Sequence, residues 1–288
     1  MKYSLITGKN VPTGFSDSLN WACDTCNPLN KSVLGKIKNQ GQCGSCWDFG
    51  TTCGIEAAIS MEIIKNPGTY NTSGNNYVSL SEQYTLIHTT WQDNGCNGGL
   101  FELAVPEIQL VGAVTTASCP YTSGSGIVAG KVDTSQCGDA ETVINTDNDI
   151  KGFVIHLWDI SSSATLAKLD NQDIKNLLLI YGPLVVAIDA ANSLFQSLTN
   201  NILTPRPFGG SVRPDHQVVF IGYGKSDSGT KYWIIRNSWD DSWGNNGYGA
   251  IKMNDDPTKI FSELGAITKV SFNSPLIKDN THNESLNK

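Results

Sequence analysis

The sequence has few charged residues, and they carry a negative excess. Asp, Glu, Lys and Arg make up 16% of the 288 residues, and 20 basic against 27 acidic side chains give a net charge of −7. No run of five basic residues occurs. Binding to nucleic-acid phosphates or to an anionic membrane surface depends on clustered Lys and Arg. The composition therefore argues against nucleic-acid and membrane partners.

Long apolar runs are missing as well. The run Leu177–Ala191 is interrupted by Gly182, Pro183 and Asp189, and it falls short of the roughly 20 residues that a membrane-spanning helix needs. Residues Met1–Asn10 lack the apolar stretch of about 7 to 15 residues that a secretory signal contains. We expect a soluble chain in which no signal peptide can be recognised.

The hydrophobic fraction of 39% and the aromatic fraction of 9% indicate a folded protein. A length of 288 residues exceeds the usual size of one domain. The Gly/Ser-rich stretch Ser123–Gly130 marks a change of pattern. We predict an N-terminal extension over 1–20, a mainly helical domain over 21–130, a β-rich domain over 131–272 and a disordered tail over 273–288.

Hydrophobic periodicity predicts the main elements. Small and apolar residues recur with helical spacing over Cys46–Ile64, which predicts a buried central helix. Gly50 and Gly54 within it indicate that another element packs closely against that face. The remaining predictions are helices over Leu80–Thr89 and Asp173–Tyr181, and strands over Leu184–Ile188, His216–Tyr223 and Lys231–Asn237.

Eight cysteines admit two competing interpretations. The pairs Cys23/Cys26 and Cys43/Cys46 have the spacing of a zinc ribbon. The segment Gln40–Trp47 instead matches the signature around a nucleophilic cysteine, with Cys46 at the start of the predicted helix. A zinc-bound thiolate is already neutralised, whereas a nucleophile needs an exposed thiolate and a base. The rest of the sequence favours the nucleophile.

Four collinear blocks support that choice, and together they are far more specific than one motif. With them the chain resembles the papain family of cysteine peptidases over roughly Leu19–Lys269. The blocks are Lys38–Trp47, Leu80–Gln83, Gly95–Gly99, and Asp215–His216 with Gly222–Gly224 and Tyr232–Trp239.

The resemblance implies an α+β, papain-like two-domain fold, with a helical left domain, a β-barrel-like right domain and an active-site cleft between them. It assigns the nucleophile to Cys46, the proton carrier to His216 and the orienting group to Asn237. Gln40, with the backbone N–H of Cys46, would form the oxyanion hole. Trp239 would shield the His216–Asn237 hydrogen bond from water. These roles predict a thiol endopeptidase that acts through an acyl-enzyme, as a monomer without a metal or other cofactor. Its partners would be protein or peptide substrates and protein inhibitors.

The same resemblance suggests how substrate would be held. Gly98 and Gly99 would let an extended substrate approach the cleft wall. Leu100, Phe101 and Gln217 would line the pocket for the second substrate residue before the scissile bond, and Lys269 would lie near its floor. A lysine there favours an acidic substrate side chain.

The family pattern also suggests disulfides Cys43–Cys96 and Cys119–Cys137. The pairing of Cys23, Cys26 and Cys53 stays open. Disulfides and a pI of about 5.0 favour a lysosome-like or extracellular oxidising compartment. Asp48 and Asp240 depart from the family pattern, and both add negative charge near the site. An Asp in the first helical turn, as at Asp48, suits the helix dipole but can also raise the pKa of the thiol.

Two alternatives come from other classes of protein. A non-catalytic papain-like protein would keep the cleft and bind peptides without turnover. A zinc-ribbon module would hold one metal ion on Cys23, Cys26, Cys43 and Cys46.

Overall fold

The protein is represented by a computed structural model that describes residues 9–70, 75–88, 95–122, 137, 142–144, 150–157 and 168–272. The predicted tail 273–288 and the whole Gly/Ser-rich stretch at 123–130 lie outside the described residues. The division at residue 130 stays a prediction. No helix among the described ranges is long and apolar enough to cross a membrane.

Helix α1, Cys46–Lys65, runs through the middle of the molecule and extends the predicted segment by one residue. Asp48 in its first turn and Lys65 in its last complement the helix dipole. Most of its side chains are buried, on more than one face. A Cβ added at Gly50 would lie 3.1 Å from Cγ1 of Val185, so the missing side chain lets the sheet approach closely.

Four further α-helices lie within the described residues: α2 Glu82–His88, α3 Phe101–Val111, α4 Asn171–Tyr181 and α5 Ser193–Gln196. A 3₁₀ turn spans Pro257–Lys259. Helix α4 begins with a capping box in which Asp170 and Asp173 exchange hydrogen bonds. It ends at Gly182, whose φ of 86° suits glycine. Helix α2 is shorter than predicted, and Thr89 lies outside the described residues.

The strands of the large sheet are β1 Leu19–Asn20, β4 Ile150–His156, β5 Leu184–Ile188, β6 Ile202–Leu203, β7 His216–Lys225, β8 Lys231–Arg236, β9 Tyr248–Lys252 and β10 Glu263–Val270. Their order in the sheet is β4-β10-β5-β7-β8-β9-β6, with β1 also paired to β7. A separate pair joins β2 Ala113–Val114 to β3 Thr142–Ile144. Strand β5 has the predicted bounds, and β7 and β8 differ from theirs by two residues and one residue at their C-terminal ends.

The antiparallel pairing of β7 with β8 brings distant residues together. His216 begins β7, and Asn237 directly follows β8. Isolated bridges then join Asn39 to Trp239 and Gly44 to Asn97. The loop before α1 is therefore held between the end of β8 and the Gly95–Gly99 segment.

A buried ion network anchors the loop that precedes α1. Lys38 Nζ donates to Glu56 Oε1 and Glu82 Oε1, at 2.7 Å each, and to the carbonyl oxygen of Leu80 at 2.8 Å. Burial by itself would lower the pKa of Lys38, but the two carboxylates outweigh it and raise that pKa. The ammonium group thus holds α1 and α2 to the segment that leads to Gln40.

Replacing Lys38 by Met tests this network. The variant leaves two buried carboxylates without their cation, and losing one partner of a buried ion pair typically costs about 3 to 5 kcal/mol. We expect a loss of that order in the free energy of unfolding, measured by urea denaturation. Lys36→Met is the matched control because Lys36 is exposed. Equal stability of the two variants would contradict the role given to Lys38.

Candidate active site

Cys46 is the first residue of α1, where the helix N-terminus favours a negative sulfur. Its side chain is partly exposed, and it is in no disulfide. Burial would raise the pKa of Cys46, but the hydrogen bond and charge of His216, with backbone hydrogen bonds from Gln217 and Trp47, lower it below the ordinary thiol value. The increase in the pKa of Cys46 that the charge of Asp48 would cause is therefore outweighed.

His216 is oriented by Asn237 behind it. The ring Nε2 lies 2.8 Å from Asn237 Oδ1. The backbone N–H of Ser238 donates to the same oxygen at 2.9 Å, so Oδ1 is an acceptor and the proton lies on Nε2 of His216. The other ring nitrogen is therefore the one that can serve Cys46.

An aromatic cluster covers this hydrogen bond. The ring of Trp239 lies 4.7 Å from that of His216 between centroids. Phe195 packs edge-on against Trp239 at 5.4 Å and also contacts Trp243 at 5.0 Å. His216 is only 6% exposed. Apolar cover of this kind strengthens a hydrogen bond by keeping water from its polar atoms.

Gln40 is held on both ends of its side-chain amide. Nε2 donates to the carbonyl oxygen of Cys43 at 2.9 Å, and Oε1 accepts from Ser238 Oγ at 2.7 Å. Its backbone oxygen accepts from the hydroxyl of Tyr121 at 3.0 Å. The Tyr121 oxygen lies 2.9 Å from Ser45 Oγ, next to the nucleophile. Tyr121 was not predicted from the sequence, where its one signal is its position two residues after the half-cystine Cys119.

The cleft wall is fastened to the nucleophile loop. The structure joins Cys43 to Cys96 by a disulfide, and the N–H of Gly44 donates to the carbonyl oxygen of Cys96 at 2.9 Å. A Cβ at Gly44 would lie 2.5 Å from that oxygen, so only glycine fits. Gly98 has a φ of 111°, which also requires glycine.

The predicted substrate residues do not all come together. Leu100 is partly exposed beside the cleft wall. Phe101 and Gln217 are buried, at 2% and 4% exposure. Lys269 does not lie near the floor of that pocket, as expected from the resemblance. It is exposed, pairs with Lys151 across β4 and β10, and lines a depression with Met61, Tyr70 and Tyr181. The side chain on β10 that contacts Gln217 belongs to Glu263.

The other cysteines form two further disulfides, Cys23–Cys26 and Cys119–Cys137. Cys53 is left as a buried thiol, and burial raises its pKa to about 11. Three of the four sulfurs that a zinc ribbon would need are thus in disulfides. Among the described residues, no group of three or more His, Cys, Asp or Glu is placed to hold a metal ion.

The departures from the family pattern have local explanations. Asp48 is fully buried in α1, where its Oδ1 accepts from Thr52 Oγ1 at 3.0 Å. Asp240 is exposed, has a φ of 72° and accepts from Asn39 Nδ2 at 3.1 Å. Asp is among the few non-glycine residues that adopt this left-handed conformation readily. It therefore replaces glycine there at modest cost.

Comparison with known proteins identifies the family. The model of the papain family cysteine proteases matches residues 19–268, and the chain belongs to that family. It is 34% identical over 256 residues to the KDEL-tailed cysteine endopeptidase CEP2 of Arabidopsis thaliana, covering 86% of this chain and 60% of the relative. It is 32% identical over 250 residues to a cathepsin L-like peptidase of Aedes aegypti, covering 86% and 62%. The chain thus spans about three fifths of each of these two relatives.

Solved structures agree on the fold. The bromelain protease from Ananas comosus, solved with the E64 inhibitor, superimposes with a TM-score of 0.58 at 24% identity, covering 88% of this chain and 98% of that one. Digestive procathepsin L 3 of Tenebrio molitor gives 0.61 at 24% identity, covering 92% and 72%. The predicted α+β papain-like fold is confirmed.

The lowered pKa of Cys46 predicts how its alkylation depends on pH. Because His216 lowers that pKa, the thiolate persists to lower pH, and iodoacetamide should modify Cys46 in the wild type faster at pH 7 than in His216→Ala. The measurement is the rate of modification against pH, with the modified residue located by mass spectrometry. Cys53→Ser is the control and should leave the profile unchanged. Identical profiles for the wild type and His216→Ala would show that His216 does not set this pKa.

Proposed function

We propose that the chain is a papain-like cysteine endopeptidase. The observation that carries the proposal is the arrangement of three residues. Cys46 at the N-terminus of α1 has a pKa lowered by its hydrogen bond to His216, and Asn237 fixes the tautomer of His216 from behind. A thiolate, a proton carrier and an orienting group are what nucleophilic hydrolysis of an amide requires.

The reaction has two stages. Cys46 Sγ attacks the substrate carbonyl carbon, and the protonated His216 gives its proton to the leaving amine as the C–N bond breaks. A thioester to Cys46 remains. His216 then takes a proton from a water molecule that attacks the thioester carbon, and the carboxylic product leaves with Cys46 restored.

Gln40 and the backbone N–H of Cys46 would stabilise the oxyanion in both stages. The amide nitrogen of Gln40 carries two hydrogens, and the Cys43 carbonyl accepts one of them. The second hydrogen is available to a substrate oxygen. Because Ser238 holds the other end of the amide, the donor needs little reorganisation when charge develops.

Protein or peptide substrates would bind along Gly98 and Gly99, whose lack of side chains permits backbone hydrogen bonds to an extended chain. Trp239, whose ring lies against that of His216, would also contact the substrate. Protein inhibitors are the other expected partners, and the enzyme would act as a monomer. Names among the relatives, including a cysteine endopeptidase and a cathepsin L-like peptidase, support internal cleavage of protein chains.

Labelling with a small epoxide reagent tests the nucleophile. We expect one equivalent bound at Cys46, located by mass spectrometry, together with cleavage of a denatured protein substrate. Both should be lost in Cys46→Ala and kept in Cys53→Ser. A folded, reduced wild type that is neither labelled nor active would sink the proposal and favour a non-catalytic peptide-binding protein.

Substitution of Gln40 by Ala tests the oxyanion donor. Loss of one such donor typically lowers kcat by about 10²- to 10³-fold, and KM should change little because the donor acts mainly in the transition state. Steady-state kinetics on a fluorogenic peptide provide the measurement. Gln42→Ala is the control, since Gln42 is exposed two residues away. A change confined to KM would assign Gln40 to ground-state binding instead.

A further inference from the structure

A cavity of about 580 Å³ opens on the outer face of strands β8 and β9, and we call it the β8–β9 cavity. Its volume lies within the range of about 300 to 1,000 Å³ that ligand sites in proteins occupy. Ile234 and Ala250 line it and are half-buried, whereas their chain neighbours Trp233 and Ile251 are buried in the core. None of the residues assigned to catalysis lines this cavity. It is therefore separate from the candidate active site.

The strand register makes the floor of the β8–β9 cavity apolar. Ile234 lies opposite Ala250, and Ala250 lies opposite Ile202 in β6. Residues directly opposite one another on neighbouring strands share a face, so these three side chains form a continuous strip. Tyr232 precedes Ile234 by two residues, and Tyr248 precedes Ala250 by two, which places each tyrosine on the same face as the strip. Because β8 and β9 are antiparallel, the two tyrosines lie at opposite ends of it.

Side-chain amides surround this strip. Asn20 comes from β1, Asn200 and Asn201 directly precede β6, and Asn245 and Asn246 lie in the turn before β9. Each amide offers two donor hydrogens and an acceptor oxygen. None of the lining residues that the structure describes is Asp, Glu, Lys or Arg. The cavity thus combines an apolar floor with a polar rim that carries no charge.

Much of the hydrogen-bonding capacity of the rim is unused within the described part of the chain. Asn20 Oδ1 accepts from the backbone N–H of Ala22 at 2.9 Å. Asn201 Oδ1 accepts from the N–H of Thr199 at 3.4 Å and from its hydroxyl at 3.3 Å. The amide nitrogens of Asn20 and Asn201, and the whole side-chain amide of Asn200, have no partner among the described residues. These donors and acceptors are therefore free to meet a ligand.

The turn that carries Asn245 and Asn246 is built before any ligand binds. The N–H of Asn245 donates to the carbonyl oxygen of Tyr248 at 2.7 Å, and the N–H of Tyr248 donates to that of Asn245 at 3.1 Å. Asn246 has a φ of 53°, a conformation that Asn adopts more readily than most residues. A Cβ at Gly247 would lie 2.5 Å from Ile37, so the turn is packed tightly against the body of the protein. Little ordering is left for binding to offset.

From this geometry we infer that the β8–β9 cavity binds an uncharged saccharide. Sugar hydroxyls both donate and accept hydrogen bonds, as the rim amides do, and the C–H faces of a sugar ring match the Ile–Ala–Ile strip and the tyrosine rings. The uncharged rim offers no cation to a sulfated or carboxylated sugar. An extended peptide is a poorer fit, because it binds to the unpaired edge of a strand, whereas β8 and β9 pair with each other along the floor. A saccharide bound there would hold the protein to glycan-bearing material and leave the catalytic cleft open.

Titration calorimetry on the full chain tests this inference without using peptide cleavage, so its outcome is independent of the proposed function. The probes are oligosaccharides of glucose, mannose and N-acetylglucosamine, with a heparin oligosaccharide as the charged comparison. We expect one of the uncharged series to bind and the heparin oligosaccharide to bind more weakly. Tyr232→Ala should weaken binding about tenfold or more, and Asn200→Ala about three- to tenfold, the worth of one neutral hydrogen bond. Gln172→Ala removes an exposed amide on α4 and should change nothing.

Absence of binding by every uncharged probe at millimolar concentration would overturn the inference, and this arm needs no variant to fold. Tighter binding of the heparin oligosaccharide would also overturn it, as would unchanged affinity in folded Tyr232→Ala and Asn200→Ala proteins. A glycoprotein with mannose-rich chains separates the two sources of saccharide. Binding that is lost on enzymatic deglycosylation supports recognition of protein-linked glycans, and binding of free oligosaccharides alone supports recognition of a polysaccharide. Binding that survives deglycosylation, without any free oligosaccharide bound, would assign the cavity to peptide instead.

Discussion

The close approach of α1 to the sheet is the constraint on which the site depends. Gly50 lies one helical turn after Cys46, and the Cβ it lacks would nearly touch Val185 and lie close to Gln217. Gln217 in turn directly follows His216 at the start of β7. The contact that seats the helix therefore also sets the thiol against the imidazole. A side chain at Gly50 would push the helix, and the nucleophile with it, away from its base.

Three further sets of contacts around α1 hold the site rigid. The Lys38 ion network holds α1 and α2 beneath the Gln40 loop, and the Cys43–Cys96 disulfide ties the loop to the cleft wall. The aromatic rings of Trp239 and Phe195 cover the His216–Asn237 hydrogen bond. Each set joins residues that are far apart in sequence. Together they hold α1 against the β7–β8 hairpin in the geometry that acyl transfer needs.

The sequence predicted what depends on local pattern. The period of α1, the bounds of β5 and the position of His216 at the start of a strand all follow from periodicity and motifs. Lys269 was misplaced because only family resemblance assigned it to the pocket; it lies next to the end of β10, whereas Glu263, whose side chain contacts Gln217, begins that strand. The pairing of Cys23 with Cys26, and the links made by Tyr121 and Glu263, depend on tertiary contacts that spacing does not encode. Helix α3 was missed, and it contains Pro106, a residue that normally breaks the pattern.

Ser238 links the residue that orients His216 to the predicted oxyanion donor. Its backbone N–H donates to Asn237 Oδ1, its hydroxyl donates to Gln40 Oε1, and its carbonyl oxygen accepts from the backbone N–H of Gln40. Asn237, which orients His216, and Gln40, which would donate to the oxyanion, are thus both held by hydrogen bonds to Ser238. Substitutions at Gln40 and Asn237 should consequently be non-additive in free energy, since each disturbs the support of the other.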